Sequence, residues 1–205
     1  MPQRIKKPVT GEMYHVFNRG VDKRDVYLDK YDYVRFYQTL DNFNSVDPII
    51  NLRLSKSKRD KKPLVEIVAY SLLPNHFHLI VKQLEEGGIS EFMRRVSTGY
   101  TSYFNEKYSR SGALFQGVFK RVHVSSEEQR QYLFAYVNEN HTVHGISFER
   151  EVIHTSSLHY QGISKSRIIK TSPEVKKYDF IENVAIARYI FEKRTIAEQK
   201  QVFFE

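Results

Sequence analysis

The 205-residue chain contains no cysteine and no tryptophan, and only 6 prolines and 9 glycines. Without cysteine there is no disulfide scaffold, no thiolate nucleophile, no iron–sulfur cluster and no Cys-based zinc finger. No stretch approaches the 18 apolar residues that a membrane helix needs, so no membrane partner is expected. The start, Met1-Pro2-Gln3-Arg4, lacks the apolar segment of a secretory signal, and the expected location is the cytoplasm. What the chain does have is an ordinary globular balance, 40% hydrophobic and 27% charged, with 14 Tyr and 14 Phe. That length and balance suit one domain with a core large enough to need no staple. Thirty-two basic residues against 24 acidic ones give a formal charge of +8, which favours a polyanionic partner such as nucleic acid.

Hydrophobic periodicity orders the elements. Met13–Arg19 reads as a strand ended by Gly20. From about Asp29 to Asn42, Tyr33, Phe36, Tyr37, Leu40 and Phe43 recur at helical spacing, with Asp29 and Asp32 at the positive end. Residues 51–62 carry six basic residues and one acidic one without apolar periodicity, and read as a loop that is either simply solvated or in contact with nucleic acid. Leu64–Leu72 and His76–Lys82, split by Pro74-Asn75, read as an antiparallel strand pair. A second helix is predicted from about Ile89 to Lys107, with Gly99 inside it at a point of close packing, followed by a strand over Val118–Val124. Ser125 and Glu128 fit a capping box for a third helix running to about Asn140. This order predicts an α+β fold, a central antiparallel sheet with helices packed on one side. Residues 1–160 are assigned to the main domain and 161–205 to a basic, helical C-terminal extension.

His76-Phe77-His78 carries the sharpest chemical signal. On a strand the two imidazoles point the same way while Phe77 points to the core, so together they can fill two positions around a divalent ion. On the third helix Tyr132, Tyr136 and Asn140 lie four apart and share a face. Asn140 offers an amide oxygen, and two imidazoles with one amide oxygen form a neutral set suited to Mg²⁺ or Mn²⁺ polarising a phosphate. A tyrosine one turn from that amide is placed to attack phosphorus, although a free phenol titrates near ~10 and needs help to lose its proton. No acidic pair of comparable quality points to a two-metal nuclease. Between Arg94 and Arg121 six basic residues, Arg94, Arg95, Lys107, Arg110, Lys120 and Arg121, stand against one acidic residue, Glu106. Such a patch would hold phosphates without reading bases. Lys120 and Arg121, adjacent on a strand, point to opposite faces.

Four segments together resemble a known family: Tyr14-His15-Val16 with Asn18-Arg19-Gly20; Ser71-Leu72-Leu73-Pro74-Asn75-His76-Phe77-His78-Leu79-Ile80; Gly112-Ala113-Leu114-Phe115-Gln116-Gly117 with Phe119-Lys120; and Tyr136 through Asn140. In this order they resemble the single-tyrosine HUH transposases of insertion sequences, the IS200-like group, and especially the repeat-associated tyrosine transposases. The resemblance spans roughly residues 10–160. It implies a ferredoxin-like sheet, a homodimer and a nucleoid-associated enzyme that nicks and rejoins single-stranded DNA beside a hairpin. His76 and His78 match the paired histidines, Asn140 the third ligand of Mg²⁺ or Mn²⁺, and Tyr136, rather than Tyr132, the tyrosine that becomes linked to a 5′ phosphate. Arg94, Arg95, Arg110, Lys120 and Arg121 are the DNA-binding candidates. The chain departs from the repeat-associated pattern at Asn140-His141-Thr142-Val143, where Asn-Pro-Val is usual, and in lacking tryptophans near Phe115 and Leu158. Histidine keeps the backbone N–H that proline lacks, so the helix can run on through this point. A non-catalytic hairpin-binding protein and a phosphoesterase of small molecules are the competing readings.

Overall fold

Tyr14, Val16 and Phe17 favour an extended chain, and Met13–Arg19 forms strand β1, with the bounds expected. The computed structural model describes residues 7–47, 61–144, 154–169 and 180–199. Most of the basic stretch at 51–62 and the predicted helix start at Pro173-Glu174 lie outside the described residues.

Helix α1, Lys30–Asn42, begins at Asp29, whose carboxylate accepts from the backbone N–H groups of Tyr31 and Asp32 while Asp32 returns a bond to the Asp29 N–H. Strands β2, Val65–Leu73, and β3, His76–Gln83, form the expected antiparallel pair. Helix α2, Gly88–Lys107, follows, then a short β4, Lys120–His123. The sheet order β4-β1-β3-β2-β5 is antiparallel between named strands, and its first four strands carry the ferredoxin-like arrangement. β5 is only the pair His154–Thr155.

Helices cover both faces, which corrects the expectation of a single covered side. On one face α1 and α2 bury Tyr33, Phe36, Leu40, Phe92, Val96 and Tyr100 against Val16, Leu72, Phe77, Leu79 and Val81. On the other, Leu133, Phe134 and Val137 of α3, Glu127–Asn138, pack against Met13, Val68, Ala69 and Ile80. Period-two alternation therefore sends Phe77 to the first core and His76 and His78 to the α3 side. The close packing expected at Gly99 is against Phe43: a Cβ built there would lie 2.4 Å from the ring. Lys107 ties the end of α2 to the start of α1 through Asp29 and the fully buried Asp32, at 2.8 and 2.7 Å.

Three expectations change. β4 is shorter than Val118–Val124 because residues 115–117 are held across the end of β1, through a Gly20–Phe115 bridge and a Gln116 N–H to Arg19 carbonyl bond, leaving Val118 81% exposed. The cap of α3 is shifted by one residue. Ser126 accepts from Gln129 N, and the Gln129 side chain accepts from Ser125 N. Ser126→Ala should therefore cost about 1 kcal/mol in denaturant unfolding, and Ser125→Ala clearly less. Finally, the helix does not run through Asn140. It breaks at Glu139 and restarts as α4, Asn140–Val143.

The break has a cause 17 to 18 residues away. The Asn138 carbonyl accepts from Thr155 Oγ1 at 2.7 Å, its side-chain oxygen from Ser156 Oγ at 2.6 Å, and Glu139 Oε1 from Ser157 Oγ at 2.6 Å. These bonds pin the helix end to β5 and to α5, Ser157–Tyr160. The segment beyond residue 160 is knitted into the same body: Ile168 and Ile169 join the first core, and α6, Phe180–Gln199, packs on α3 and α4. No described helix is long and apolar enough to cross a membrane.

Candidate active site

The residues of interest meet where β1 and β3 face α3. His76 and His78 are both 7% exposed, with ring centroids 5.0 Å apart and planes at 90°. The Tyr136 ring stands edge-on to His78, centroids 5.3 Å apart, and also edge-on to His15 at 6.2 Å. Tyr132, one turn earlier, is 43% exposed. Asn140 is completely buried, and among the described residues neither its Oδ1 nor its Nδ2 has a hydrogen-bond partner. It lies in sequence between Tyr136, which meets His78, and His144, whose ring centroid is 4.9 Å from that of His76. One helical segment and its continuation thus bring a phenol and an imidazole up to the histidine pair, with the buried Asn140 between them in sequence.

Leaving two buried amide atoms without partners costs on the order of 1–3 kcal/mol each, a cost that a ligand bound to the amide oxygen would offset in part. Among the described residues no three His, Asp or Glu side chains are arranged to hold a metal ion. A third donor would therefore have to come from another residue type. The Asn140 carbonyl oxygen has that chemistry, and two imidazoles with an amide oxygen fit Mg²⁺ or Mn²⁺.

The surroundings orient the imidazoles. Asn75 Nδ2 donates to the Lys23 carbonyl, so its Oδ1 faces His76 Nδ1 at 2.5 Å as an acceptor. His76 then carries its proton on Nδ1, and Nε2 holds a lone pair. His78 Nδ1 and His15 Nε2 share a hydrogen bond of 2.9 Å. Burial pushes His15 down to about 4, and burial reinforced by the neighbouring imidazoles and Arg19 holds His78 well below the usual histidine range. Both are neutral at pH 7, the state that ligates metals.

A pH dependence follows. Unfolded histidine takes up protons near ~6.5 whereas folded His15 resists until about 4, so the unfolded state gains protons first as pH falls. Stability of the metal-free protein should be fully present above about pH 6.5. It should then fall by roughly 1 kcal/mol per pH unit for each such histidine as pH drops towards 4, in urea titrations across that range. A flat profile would contradict the buried neutral pair.

The five basic candidates do not form one patch. Arg94 and Arg95 lie on α2, which packs on the sheet face opposite the histidines. Arg94 makes two bonds to Glu91, and Arg95 is bonded to Glu91 and to the carbonyls of Ser45 and Asp47. Arg110 braces its own loop through Asn105 and the Ala113 carbonyl. Lys120 pairs with Phe17, which pairs with His78, so Lys120 shares the histidine face, its ammonium 5.9 Å from the centre of the Phe17 ring. Arg121 pairs with Val16 and takes the other face, as alternation requires.

Sequence reasoning missed three neighbours. His144 continues the four-residue series of Tyr132, Tyr136 and Asn140 and could have been found that way. Asn75 stood in a turn and in one of the resembling segments, with no role of its own. His15 needed the β1–β3 register, Phe17 opposite His78, which places it diagonally across from His78. His141, in the position where proline is usual, is buried beside Glu139, at 3.7 Å, and sits beyond the break rather than extending α3.

Comparisons with known proteins bear on the fold and on the family resemblance. Residues 49–140 match the family model of IS200-like transposases, the segment that contains β2, β3, α2, β4 and α3 together with His76, His78, Tyr136 and Asn140. Among solved structures the chain is similar to a REP-associated tyrosine transposase bound to a REP hairpin. The two share 17% identity over 87% of this chain and 96% of that one, with a TM-score of 0.55. That likeness shows the α+β fold, and the family model supports the transposase resemblance read from the sequence. No curated protein sequence gives a significant match.

Proposed function

We propose that this chain is a metal-dependent transposase that nicks and rejoins single-stranded DNA near hairpins through a covalent 5′-phosphotyrosine at Tyr136. The observation that carries the reading is the meeting of Tyr136 with His78, one turn before a buried amide that has no hydrogen-bond partner. The family match over the same residues supports it, as does the hairpin bound by the similar structure. His76 Nε2, His78 Nε2 and Asn140 Oδ1 would hold Mg²⁺ or Mn²⁺. A bound ion supplies Lewis-acid polarisation of the scissile phosphate.

In the nicking step the Tyr136 hydroxyl oxygen attacks phosphorus. A P–O bond to tyrosine forms, the bond to the 3′ oxygen breaks, and the freed 3′ oxygen takes up a proton. The energy of the phosphodiester is kept, and a 3′ hydroxyl can reverse the attack to join strands. The His15–His78 pair is a poor acceptor for the phenolic proton. With His15 at about 4, transfer from an ordinary phenol would be uphill by ~8 kcal/mol. The pair is better suited to holding an ion than to acting as the general base.

Lys120, on the histidine face, is the foremost phosphate contact. Arg94, Arg95, Arg110 and Arg121 would add non-specific attraction from elsewhere on the surface. Tyrosine and histidines belong to one chain, so a homodimer would pair two complete sites. A cytoplasmic, nucleoid-associated location follows from this substrate. Residues 1–160 would form the nicking domain, with the segment after 160 buttressing α3 and α4.

The direct test incubates the protein with a labelled hairpin oligonucleotide carrying a single-stranded flank, in Mn²⁺ or EDTA. Denaturing gels should show a protein–DNA adduct only with the ion, and peptide mapping should place it on Tyr136. Hairpin binding without any nick in Mn²⁺ would favour a non-catalytic binding protein instead.

A further inference from the structure

We propose that His15 is a positioning residue for His78, its Nε2 accepting the Nδ1 proton of His78 so that His78 Nε2 keeps its lone pair for the ion. The inference rests on the reading of His76 and His78 as ligands. It adds a residue on a different strand, 63 positions away, whose ring bond to His78 is 2.9 Å. Both rings are buried, at 6% and 7% exposure, so water does not compete for that bond. They lie nearly parallel, interplanar angle 17°, and Phe17 stacks on both at 4.9 and 5.6 Å, which fixes their planes.

With both rings neutral, one proton lies between the two facing nitrogens. If His15 donated it, His78 would carry its own single proton on Nε2, and no lone pair would remain there for a metal. If His78 donates it, Nε2 is free. The second arrangement reproduces at His78 what Asn75 does at His76, whose Nδ1 faces a carboxamide oxygen at 2.5 Å. The two candidate ligands thus have matched partners on their Nδ1 atoms, one from the preceding turn and one from β1. Partners of this kind set a ligand's tautomer and orientation, and losing one typically lowers metal affinity about 10–100-fold.

Two variants separate the hydrogen bond from the packing. His15→Gln can still present an acceptor oxygen near the position of Nε2. His15→Phe keeps a ring between Phe17 and His78 but has no acceptor. Binding of Mn²⁺ alone, followed by the electron paramagnetic resonance of the free ion, should be within about threefold of the unmodified chain for His15→Gln and about 10–100-fold weaker for His15→Phe. A His76→Ala/His78→Ala double variant serves as the reference for loss of the site.

Long-range proton–nitrogen NMR of the unmodified protein in Mg²⁺ needs no variant to fold. It should show His78 protonated on Nδ1 and His15 unprotonated on Nε2. Equal Mn²⁺ affinity of the Phe variant and the unmodified chain, or His78 protonated on Nε2, overturns the role of His15 alone. If the double variant binds Mn²⁺ as tightly as the unmodified chain, the ligand reading fails and takes this inference with it.

Discussion

Tyr136→Phe is expected to remove the covalent DNA adduct and strand joining to background, a loss on the order of 10⁴-fold or more. The substitution deletes one oxygen. The ring that packs edge-on to His78 and His15 stays, as does its contact with the core of Met13, Val68, Ile80 and Val137. Stability should change by no more than about 1 kcal/mol, and hairpin binding and Mn²⁺ affinity should be retained, because neither uses the hydroxyl. Tyr132→Phe should leave the adduct intact, since Tyr136, not Tyr132, meets the His78 ring. If the Tyr132 variant alone loses the adduct, the nucleophile has been assigned one helical turn too late.

Asn140→Leu should move stability and metal binding in opposite directions. Both polar atoms of the buried amide lack partners, so an apolar side chain of similar size removes a desolvation cost. The metal-free protein should gain about 1–2 kcal/mol in urea unfolding. Mn²⁺ affinity should fall by about 100-fold or more, because the third oxygen donor is gone. A residue whose replacement stabilises the fold while abolishing binding is retained for function. Destabilisation with unchanged Mn²⁺ affinity would mean that the amide is structural.

Much of the fold was legible because its signals are local. The bounds of β1, the acidic start of α1 at Asp29 and Asp32 and the β2–β3 turn at Pro74-Asn75 each depend on residues within one element or one turn. The histidine pair was legible for the same reason, since alternation along β3 needs no partner. Harder to read was whatever depends on pairing between distant segments. The break at Glu139 is set by Thr155, Ser156 and Ser157, and nothing near residue 139 announces it. His15 acquires meaning only through the register of β1 on β3. The basic residues could not be placed in one patch because charge along the chain does not say which sheet face receives it. Arg95 and Arg110 are occupied by carbonyls of their own chain.

The account turns on one piece of geometry: a strand and a helix delivering three ligands and a phenol to a single phosphate. A crystal structure of the chain soaked in Mn²⁺, with the ion located by anomalous scattering, tests it most directly. The expected result is one ion within about 2.0–2.3 Å of His76 Nε2, His78 Nε2 and Asn140 Oδ1, with the Tyr136 hydroxyl facing its open side. An ion bound elsewhere, or one held by the histidines with Asn140 turned away, would contradict it.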